Sequence, residues 1–187
     1  MEESSRTLTA KRAIFLDRDG VINVKLPGSR YVTHVGEFEF VSGVRRALAI
    51  FKRLGFLLVL ITNQRGIARG FMTGKDLETI HDHMQMELEK NKTVLDAIYY
   101  CPHEEFEKCS CRKPEPGMLL AASLDLNIDR SVSFMVGDSS TDVLAGKSAG
   151  VTTVLISEEP DESADLVFSS LLDFARYLDH NALSPVE

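Results

Sequence analysis

The sequence predicts an α/β protein built on a doubly wound, mainly parallel sheet, for three reasons. Short apolar segments alternate with amphipathic ones along the chain. An uninterrupted apolar run such as FLLVLI, at 56–61, is typical of a strand buried on both faces. Apolar residues three and four positions apart indicate helices that cover the sheet. Because strands alternate with helices, parallel strands joined by right-handed crossovers are expected.

The N-terminal half contains three predicted strands and two predicted helices. Ser42 is placed to cap a helix that Gly55 ends. Thr73 and Asp76 resemble a capping box at the start of the next helix. A loop with Gly and Pro residues is expected at 25–36. The three strands are expected at 13–16, 56–61 and 96–100.

Two histidines lie on the second predicted helix. His81 and His83 are two residues apart, so their side chains point in different directions and do not form a metal pair. We expect both at the surface or at the boundary of the core.

The C-terminal half continues the alternation of strands and helices. Pro116 fits the first turn of a helix. Gly150 fits the end of another helix, which begins at about Thr141. We expect the residues after Asp179 to fray. The remaining strands are expected at 133–136, 152–156 and 166–168, and the closing helix at 171–178.

Size, composition and net charge favour some classes of protein over others. With 187 residues, 44% of them hydrophobic, the chain is expected to form a single domain over 1–187, with its core at about 12–179 and no large cap domain. The net charge of -7 disfavours a nucleic-acid or anionic-membrane surface. No apolar run is long enough to span a bilayer, and the polar start lacks a signal-peptide core. We therefore predict a cytoplasmic protein without membrane or nucleic-acid partners.

Polar residues follow three of the predicted strands. Asp17 and Asp19 follow the first, Thr62 follows the second, and Asp138 follows the fourth. The carboxyl ends of parallel strands meet at one edge of the sheet, so these side chains are expected to converge. Carboxylates are ligands for Mg²⁺, and Lys113 could neutralise further negative charge. Such a set suits a phosphoryl group, whose transfer requires mainly positioning and charge neutralisation.

A cluster of sulfur and nitrogen ligands lies in the middle of the chain. The three cysteines are confined to eleven residues, so a disulfide framework is disfavoured. Together with His103 they offer three sulfurs and one nitrogen, which predicts a tetrahedral, structural Zn²⁺ site. Incidental cysteines are the alternative. A nucleic-acid-binding knuckle would need interleaved aromatic and basic residues, which are missing here. The four predicted zinc ligands are Cys101, His103, Cys109 and Cys111.

The order of these motifs resembles the haloacid dehalogenase-like phosphatases. The resemblance rests on D-x-D-G at 17–20, a hydrophobic strand ending in Thr62, a lysine at Lys113, and G-D-x-x-x-D at 137–142. Within that family, DRDGVIN, TNQRGIARG, CPH with CSCRKPEPGML, and MVGD are similar to the heptose bisphosphate and histidinol-phosphate phosphatases. The likeness runs from about Ala13 to Ser157 and implies a Rossmann-like haloacid dehalogenase fold.

The resemblance also implies an activity. We expect Mg²⁺-dependent hydrolysis of the 7-phosphate of D-glycero-D-manno-heptose 1,7-bisphosphate, through an aspartyl-phosphate, in the synthesis of lipopolysaccharide precursors. Two alternatives stay open: a histidinol-phosphate phosphatase, and a non-catalytic receiver-like domain that binds phosphate. The expected partner is a small sugar phosphate, and the expected oligomeric state is a monomer.

The same resemblance assigns roles to individual residues. Asp17 would be the nucleophile and a Mg²⁺ ligand, Asp19 the general acid and base with its backbone carbonyl at the metal, and Asp138 the remaining Mg²⁺ ligand. Thr62 and Lys113 would steady the phosphoryl group. The implied or candidate substrate contacts are Lys25, Arg30, Tyr31, Asn63, Gln64, Arg65 and Arg112. The sequence departs from the family pattern in a longer loop at 25–31 and in Ser139, where some relatives carry a lysine.

Overall fold

A six-stranded sheet forms the centre of the protein. The computed structural model describes residues 10–28 and 30–183. Its strands in this part of the chain are β1 Ala13–Leu16, β2 Leu57–Asn63, β3 Ala97–Cys101, β4 Phe134–Gly137, β5 Thr152–Ile156 and β6 Leu166–Phe168. Their order in the sheet is β3-β2-β1-β4-β5-β6, and every neighbouring pair is parallel. The predicted doubly wound sheet is therefore confirmed.

Helices cover both faces of this sheet, and they are α1 Val44–Arg53, α2 Gly74–Glu89, α3 Gly117–Leu126, α4 Ser140–Ala149 and α5 Leu171–Leu183. In β1, Ile14 and Leu16 pack on the face covered by α1, α2 and α5, whereas Ala13 and Phe15 pack on the face covered by α3 and α4. This division follows from the two-residue alternation of side chains along a strand. The segments between the described strands hold helices and loops, without a large cap domain.

Most of the predicted helix ends are confirmed. Thr73 and Asp76 form the expected capping box at the start of α2. Pro116 directly precedes α3, and Gly150 ends α4 in the left-handed conformation, with φ of 75°. Capping side chains, proline and glycine therefore predict these helix ends well, because each acts on the backbone of the adjacent helical turn.

Two predicted helix ends are wrong. The N-cap of α1 is Gly43, not Ser42. Gly43 has φ of 81°, a backbone conformation that favours glycine. At the other end of the chain, α5 continues beyond Asp179, which pairs with Arg53 at 2.8 Å. The predictions made for residues 1–9 and 184–187 lie outside the described residues.

The prediction for one of the two histidines is also wrong. The side chain of His81 is only 5% exposed, and its ring lies edge-on to Tyr100, with the ring centres 6.4 Å apart. His83 is partly exposed and packs edge-on against Phe38, as expected for a boundary residue. Burial lowers the pKa of His81 to about 3, and the charge of Arg18 acts in the same direction.

None of the helices within the described ranges combines the length and the apolar character that a membrane span requires.

The core packing generates a first prediction. Leu48 in α1 is 0% exposed, whereas Leu124 in α3 is 84% exposed. We expect Leu48→Ala to lower the free energy of unfolding by about 2–5 kcal/mol, because it leaves a cavity in the core. The control variant Leu124→Ala should change it by less than about 0.5 kcal/mol. Urea unfolding followed by circular dichroism measures both values, and equal losses would contradict the packing described.

His81 generates a second prediction. The unfolded chain binds a proton at this histidine near pH 6.5, but the folded chain does so only near pH 3. Because the unfolded state binds more protons between these values, the free energy of unfolding should fall as the pH is lowered from 6.5, by up to about 1.4 kcal/mol per unit. His81→Leu should reduce this dependence, and His83→Leu should retain it. Urea midpoints between pH 7 and pH 4.5 test the difference.

Candidate active site

A cleft of about 350 Å³ lies at the carboxyl edge of the sheet, where the predicted site residues were expected. Its volume suits a small phosphorylated ligand. Thr62 and Gln64 do not line it, since both are 1% exposed. The predicted residues that do line it are Asp17, Asp19, Lys25, Arg30, Tyr31, Asn63, Arg65, Arg112, Lys113 and Asp138.

Three carboxylates meet at the base of the cleft. Asp17 follows β1, while Asp138 and Asp142 come from the end of β4 and the first turn of α4. One oxygen of each lies within 4.8 Å of the other two. Gly20 makes this approach feasible, because a Cβ atom at that position would lie 2.2 Å from Asp138 Oδ2. The pKa of Asp17 is raised to about 7, mainly by burial; the charge of Lys113 opposes this rise, and the carboxylates of Asp142 and Asp19 add to it.

A buried lysine compensates part of this negative charge. Lys113 is 3% exposed, and its Nζ lies 2.7 Å from Asp17 Oδ1 and 2.5 Å from Asp142 Oδ1. Nζ also donates to the backbone oxygen of Ile61 at 2.8 Å. Burial by itself would lower the pKa of Lys113, but the two carboxylates outweigh it and raise the pKa. The lysine is therefore held as a cation.

Asn63 fixes the backbone that carries this lysine. Its side-chain Nδ2 donates to the backbone oxygen of Lys113 at 2.9 Å, and its Oδ1 accepts from the backbone nitrogen at 3.0 Å. Asn63 thus lines the cleft and also anchors Lys113 to the end of β2.

Asp142 also belongs to the candidate site, although in the sequence only its spacing from Asp138 pointed to it. A carboxylate at a helix start can favour the helix dipole or orient the preceding loop. In the structure, Asp142 Oδ2 accepts from Ser139 Oγ at 2.6 Å and from Ser139 N at 3.2 Å. The other oxygen contacts Lys113. Asp142 therefore orients the start of α4 and also joins the carboxylate cluster, and the G-D-x-x-x-D spacing was its signal.

The donor set at this position fits Mg²⁺. Oxygen ligands are what this hard cation prefers, and closely spaced carboxylates need a positive partner. The exposed side of Asp138 is already paired with a cation, because Lys25 Nζ lies 2.6 Å from its Oδ2. The ammonium group of Lys25 thus lies at a position where the carboxylates favour a positive charge. Asp17, Asp138 and Asp142 are the grouped carboxylates that could hold the metal.

Asp19 is held by a different set of partners. Its carboxylate accepts hydrogen bonds from Arg18, Asn23 and Gln64, at distances between 3.0 and 3.1 Å. Burial alone would raise the pKa of Asp19, but the charge of Arg18 and these hydrogen bonds lower it below its usual value. Gln64, expected at the substrate, instead connects Asp19 with Thr62, whose Oγ1 accepts from Gln64 Nε2 at 2.9 Å.

The four predicted zinc ligands are brought together. The sulfur atoms of Cys101, Cys109 and Cys111 lie 3.2 to 3.6 Å apart, and His103 Nδ1 lies 3.3 Å from the sulfur of Cys111. A tetrahedral site with Zn–S bonds of about 2.3 Å places its sulfurs about 3.8 Å apart. Small side-chain movements therefore suffice, and the cluster is suited to a structural zinc.

The zinc cluster begins and ends next to the cleft. Cys101 is the last residue of β3, and its backbone oxygen accepts from Gln64 N at 2.7 Å. Arg112 follows the last ligand and contacts the His103 backbone oxygen at 3.4 Å. Ordering of this loop by a bound metal would therefore position Arg112 and Lys113, which line the cleft.

The outer part of the cleft is rich in positive charge. Tyr31 accepts hydrogen bonds from Arg65 at 2.8 Å and from Arg69 at 3.3 Å, so it ties two loops together. Arg65 and Arg112 both approach Glu105, at 3.1 and 3.4 Å. Arg30 is exposed and pairs with Glu37 at 3.2 Å. These guanidinium groups can bind an anionic part of a ligand.

The zinc cluster generates a third prediction. We expect the purified protein to contain about one zinc ion per chain. Cys111→Ala should lose this metal and lower the melting temperature, because metal binding contributes directly to folding. Ser110→Ala, in the same loop, should retain both. Elemental analysis and thermal unfolding measure the two quantities, and loss of zinc without any loss of stability or activity would contradict a structural role.

Comparison with known proteins places the chain in a family. A family model described as HAD-hydrolase-like matches residues 110–173. A D-glycero-beta-D-manno-heptose-1,7-bisphosphate 7-phosphatase from Haemophilus ducreyi is 43% identical over 90% of this chain and 98% of its own length. The protein of the same name from Escherichia coli K12 is 46% identical, over 86% of this chain and 90% of its own.

A solved structure supports the same relationship. The D,D-heptose 1,7-bisphosphate phosphatase from B. bronchiseptica, complexed with magnesium and phosphate, superposes with a TM-score of 0.83. It is 32% identical, and the match covers 91% of this chain and 99% of that one. With the fold, the carboxylate cluster and these relatives in agreement, the chain belongs to the haloacid dehalogenase-like hydrolases, in the group of the heptose-bisphosphate phosphatases.

Proposed function

We propose that the protein hydrolyses the 7-phosphate of D-glycero-β-D-manno-heptose 1,7-bisphosphate and so serves the synthesis of lipopolysaccharide precursors. The observation that carries this proposal is the buried pair of Asp17 and Lys113 beside Asp138, at the base of a small cleft. The names of the relatives supply the substrate and its β anomer.

The reaction begins with transfer of the phosphoryl group to the protein. An oxygen of Asp17 attacks phosphorus, and the bond between phosphorus and the sugar oxygen breaks. Asp19 gives its proton to the departing oxygen, so that heptose 1-phosphate leaves as an alcohol. Lys113 balances the charge of the phosphoryl oxygens during the transfer, whereas Thr62, which the sequence placed beside it, does not line the cleft.

Hydrolysis of the aspartyl-phosphate completes the cycle. Asp19, now a carboxylate, takes a proton from a water molecule as that water attacks phosphorus. The bond between phosphorus and Asp17 breaks, inorganic phosphate leaves, and both carboxyl groups return to their starting forms.

Two metals belong to this proposal. Asp17, Asp138 and the backbone carbonyl of Asp19 would hold Mg²⁺, with Asp142 beside them, and the cation would neutralise charge on the phosphoryl oxygens. The cysteine and histidine cluster at 101–111 would hold Zn²⁺ and keep Arg112 at the cleft.

The charge of the cleft favours a bisphosphate over histidinol phosphate. Lys25, Arg30, Arg65 and Arg112 line it together. Each of them is paired with a carboxylate, but a second phosphate on the substrate can accept bidentate hydrogen bonds from the guanidinium groups, which the charged amine of histidinol cannot do. We therefore propose these four residues, with Tyr31 at the same wall, as the contacts for the rest of the sugar phosphate.

Three broader expectations complete the proposal. We propose that residues 1–187 act as one domain, that the protein works as a monomer on a small sugar phosphate, and that it resides in the cytoplasm. The continuous sheet supports the first expectation, and the thiolate ligands of the zinc cluster suit a reducing compartment.

A fourth prediction tests the activity. Wild-type protein with Mg²⁺ should release phosphate from the β-anomer of the bisphosphate faster than from the α-anomer or from histidinol phosphate. Asp17→Asn should lose activity by several orders of magnitude, because it removes the nucleophile. Asp125→Asn is the matched control, since Asp125 is exposed and hydrogen-bonded to Tyr99.

Two results would reject the proposal in different ways. Turnover of histidinol phosphate well above the heptose bisphosphate would assign the other substrate. Equal, background hydrolysis by wild type and Asp17→Asn would indicate a phosphate-binding domain without catalysis.

A further inference from the structure

Arg18 stands between the two aspartates of the D-x-D motif in the sequence, and its side chain is completely buried outside the lining of the cleft. It is 0% exposed. Its Nη2 lies 3.1 Å from each oxygen of Asp19, whereas Nε and Nη1 have no hydrogen-bond partner among the described residues. In the described part of the chain, the side-chain hydrogen bonds of Arg18 therefore all go to Asp19. Burying an unpaired guanidinium group costs several kcal/mol of folding free energy, so the burial of Arg18 depends on its ion pair with Asp19.

Two amide side chains complete the contacts of Asp19. Asn23 Nδ2 donates to its Oδ1, and Gln64 Nε2 donates to its Oδ2, both at 3.0 Å. Asn23 is 0% exposed and Gln64 is 1% exposed. Three buried donors on two different segments therefore hold one carboxyl group.

The contacts leave one side of Asp19 open. Its side chain is 28% exposed, and it lines the cleft, whereas its three partners do not. The carboxyl group is thus fixed from the protein side and presented to the ligand side. An amide can donate to a carboxylate and, after rotation, accept from a carboxyl group. The three donors favour the carboxylate form of Asp19, so a proton that Asp19 carries passes readily to the leaving oxygen, and Gln64 can remain bonded to Asp19 in both forms.

We propose that Arg18, Asn23 and Gln64 are positioning residues that hold Asp19 for proton transfer to the leaving oxygen. This inference rests on the proposed function, in which Asp19 is the general acid. The proton passes from Asp19 to the sugar oxygen while the phosphorus bond to that oxygen breaks and the bond to Asp17 forms. The three residues do not line the cleft, so they act through Asp19.

The role of these residues is tested by comparing kcat/KM for two substrates, one whose leaving group needs a proton and one whose leaving group does not. With the heptose bisphosphate, Gln64→Leu should lower kcat/KM by about 10²-fold or more, the usual contribution of a positioned general acid. With 4-nitrophenyl phosphate, whose leaving group departs without a proton, kcat/KM should change little. This ratio covers the steps up to departure of the leaving group, so later hydrolysis of the aspartyl-phosphate does not affect it.

A double-mutant cycle tests whether Gln64 affects the reaction through Asp19. In an Asp19→Ala background, Gln64→Leu should cause no further loss of kcat/KM for the bisphosphate, because the group it positions is already missing. Gln85→Leu is the matched control. Gln85 binds the backbone of Leu95 at 2.9 and 3.0 Å, away from the cleft, so its loss should not distinguish the two substrates.

Equal losses on both substrates, or a further loss in the Asp19→Ala background, would overturn the proposal. Should Gln64→Leu fail to fold, Gln64→Met and Asn23→Leu provide the same comparison. A wild-type protein that hydrolyses neither ester would instead overturn the proposed function, so the two failures are distinguishable.

Discussion

Repulsion between carboxylates is the constraint on which the site depends. Asp17, Asp138 and Asp142 approach within 4.8 Å of one another in a partly buried position. Two unit charges about 4 Å apart interact by about 4 kcal/mol at an effective dielectric constant of about 20. Since a whole domain is stable by only about 5–15 kcal/mol, such a cluster requires cations. Lys113 supplies one of them within the fold, and the cluster offers its remaining charge to a metal.

The architecture supplies this arrangement from distant segments. Each carboxylate follows a strand or begins a helix, and the parallel sheet brings these ends to one edge. Lys113 comes from a loop instead, so its position needs separate support. Asn63 provides it by binding both backbone polar groups of Lys113. The zinc cluster fixes the preceding segment, and the loop with the lysine is therefore held from two sides.

The sequence predicted those parts of the site that depend on strand ends or on close ligand spacing. Asp17, Asp138 and the cysteines belong to this group, because parallel strands and a four-ligand cluster leave few alternatives. Burial was harder to predict, as His81 and Gln64 illustrate. Gln64 follows β2 immediately after Asn63, but the two-residue alternation turns it inward beside Thr62. Whether such a side chain is buried depends on how distant segments pack against it, and a local sequence pattern does not predict that packing.

The position of the zinc cluster separates the effects of the two metals. It starts on the last residue of β3 and ends one residue before Arg112, so it belongs to the folding of the cleft. The carboxylate cluster lies at the solvent-accessible cleft, where a bound cation would be open to exchange with the solvent. Zinc supply would therefore determine how many chains become competent enzyme. Magnesium concentration would determine only what fraction of those competent molecules is active at a given moment.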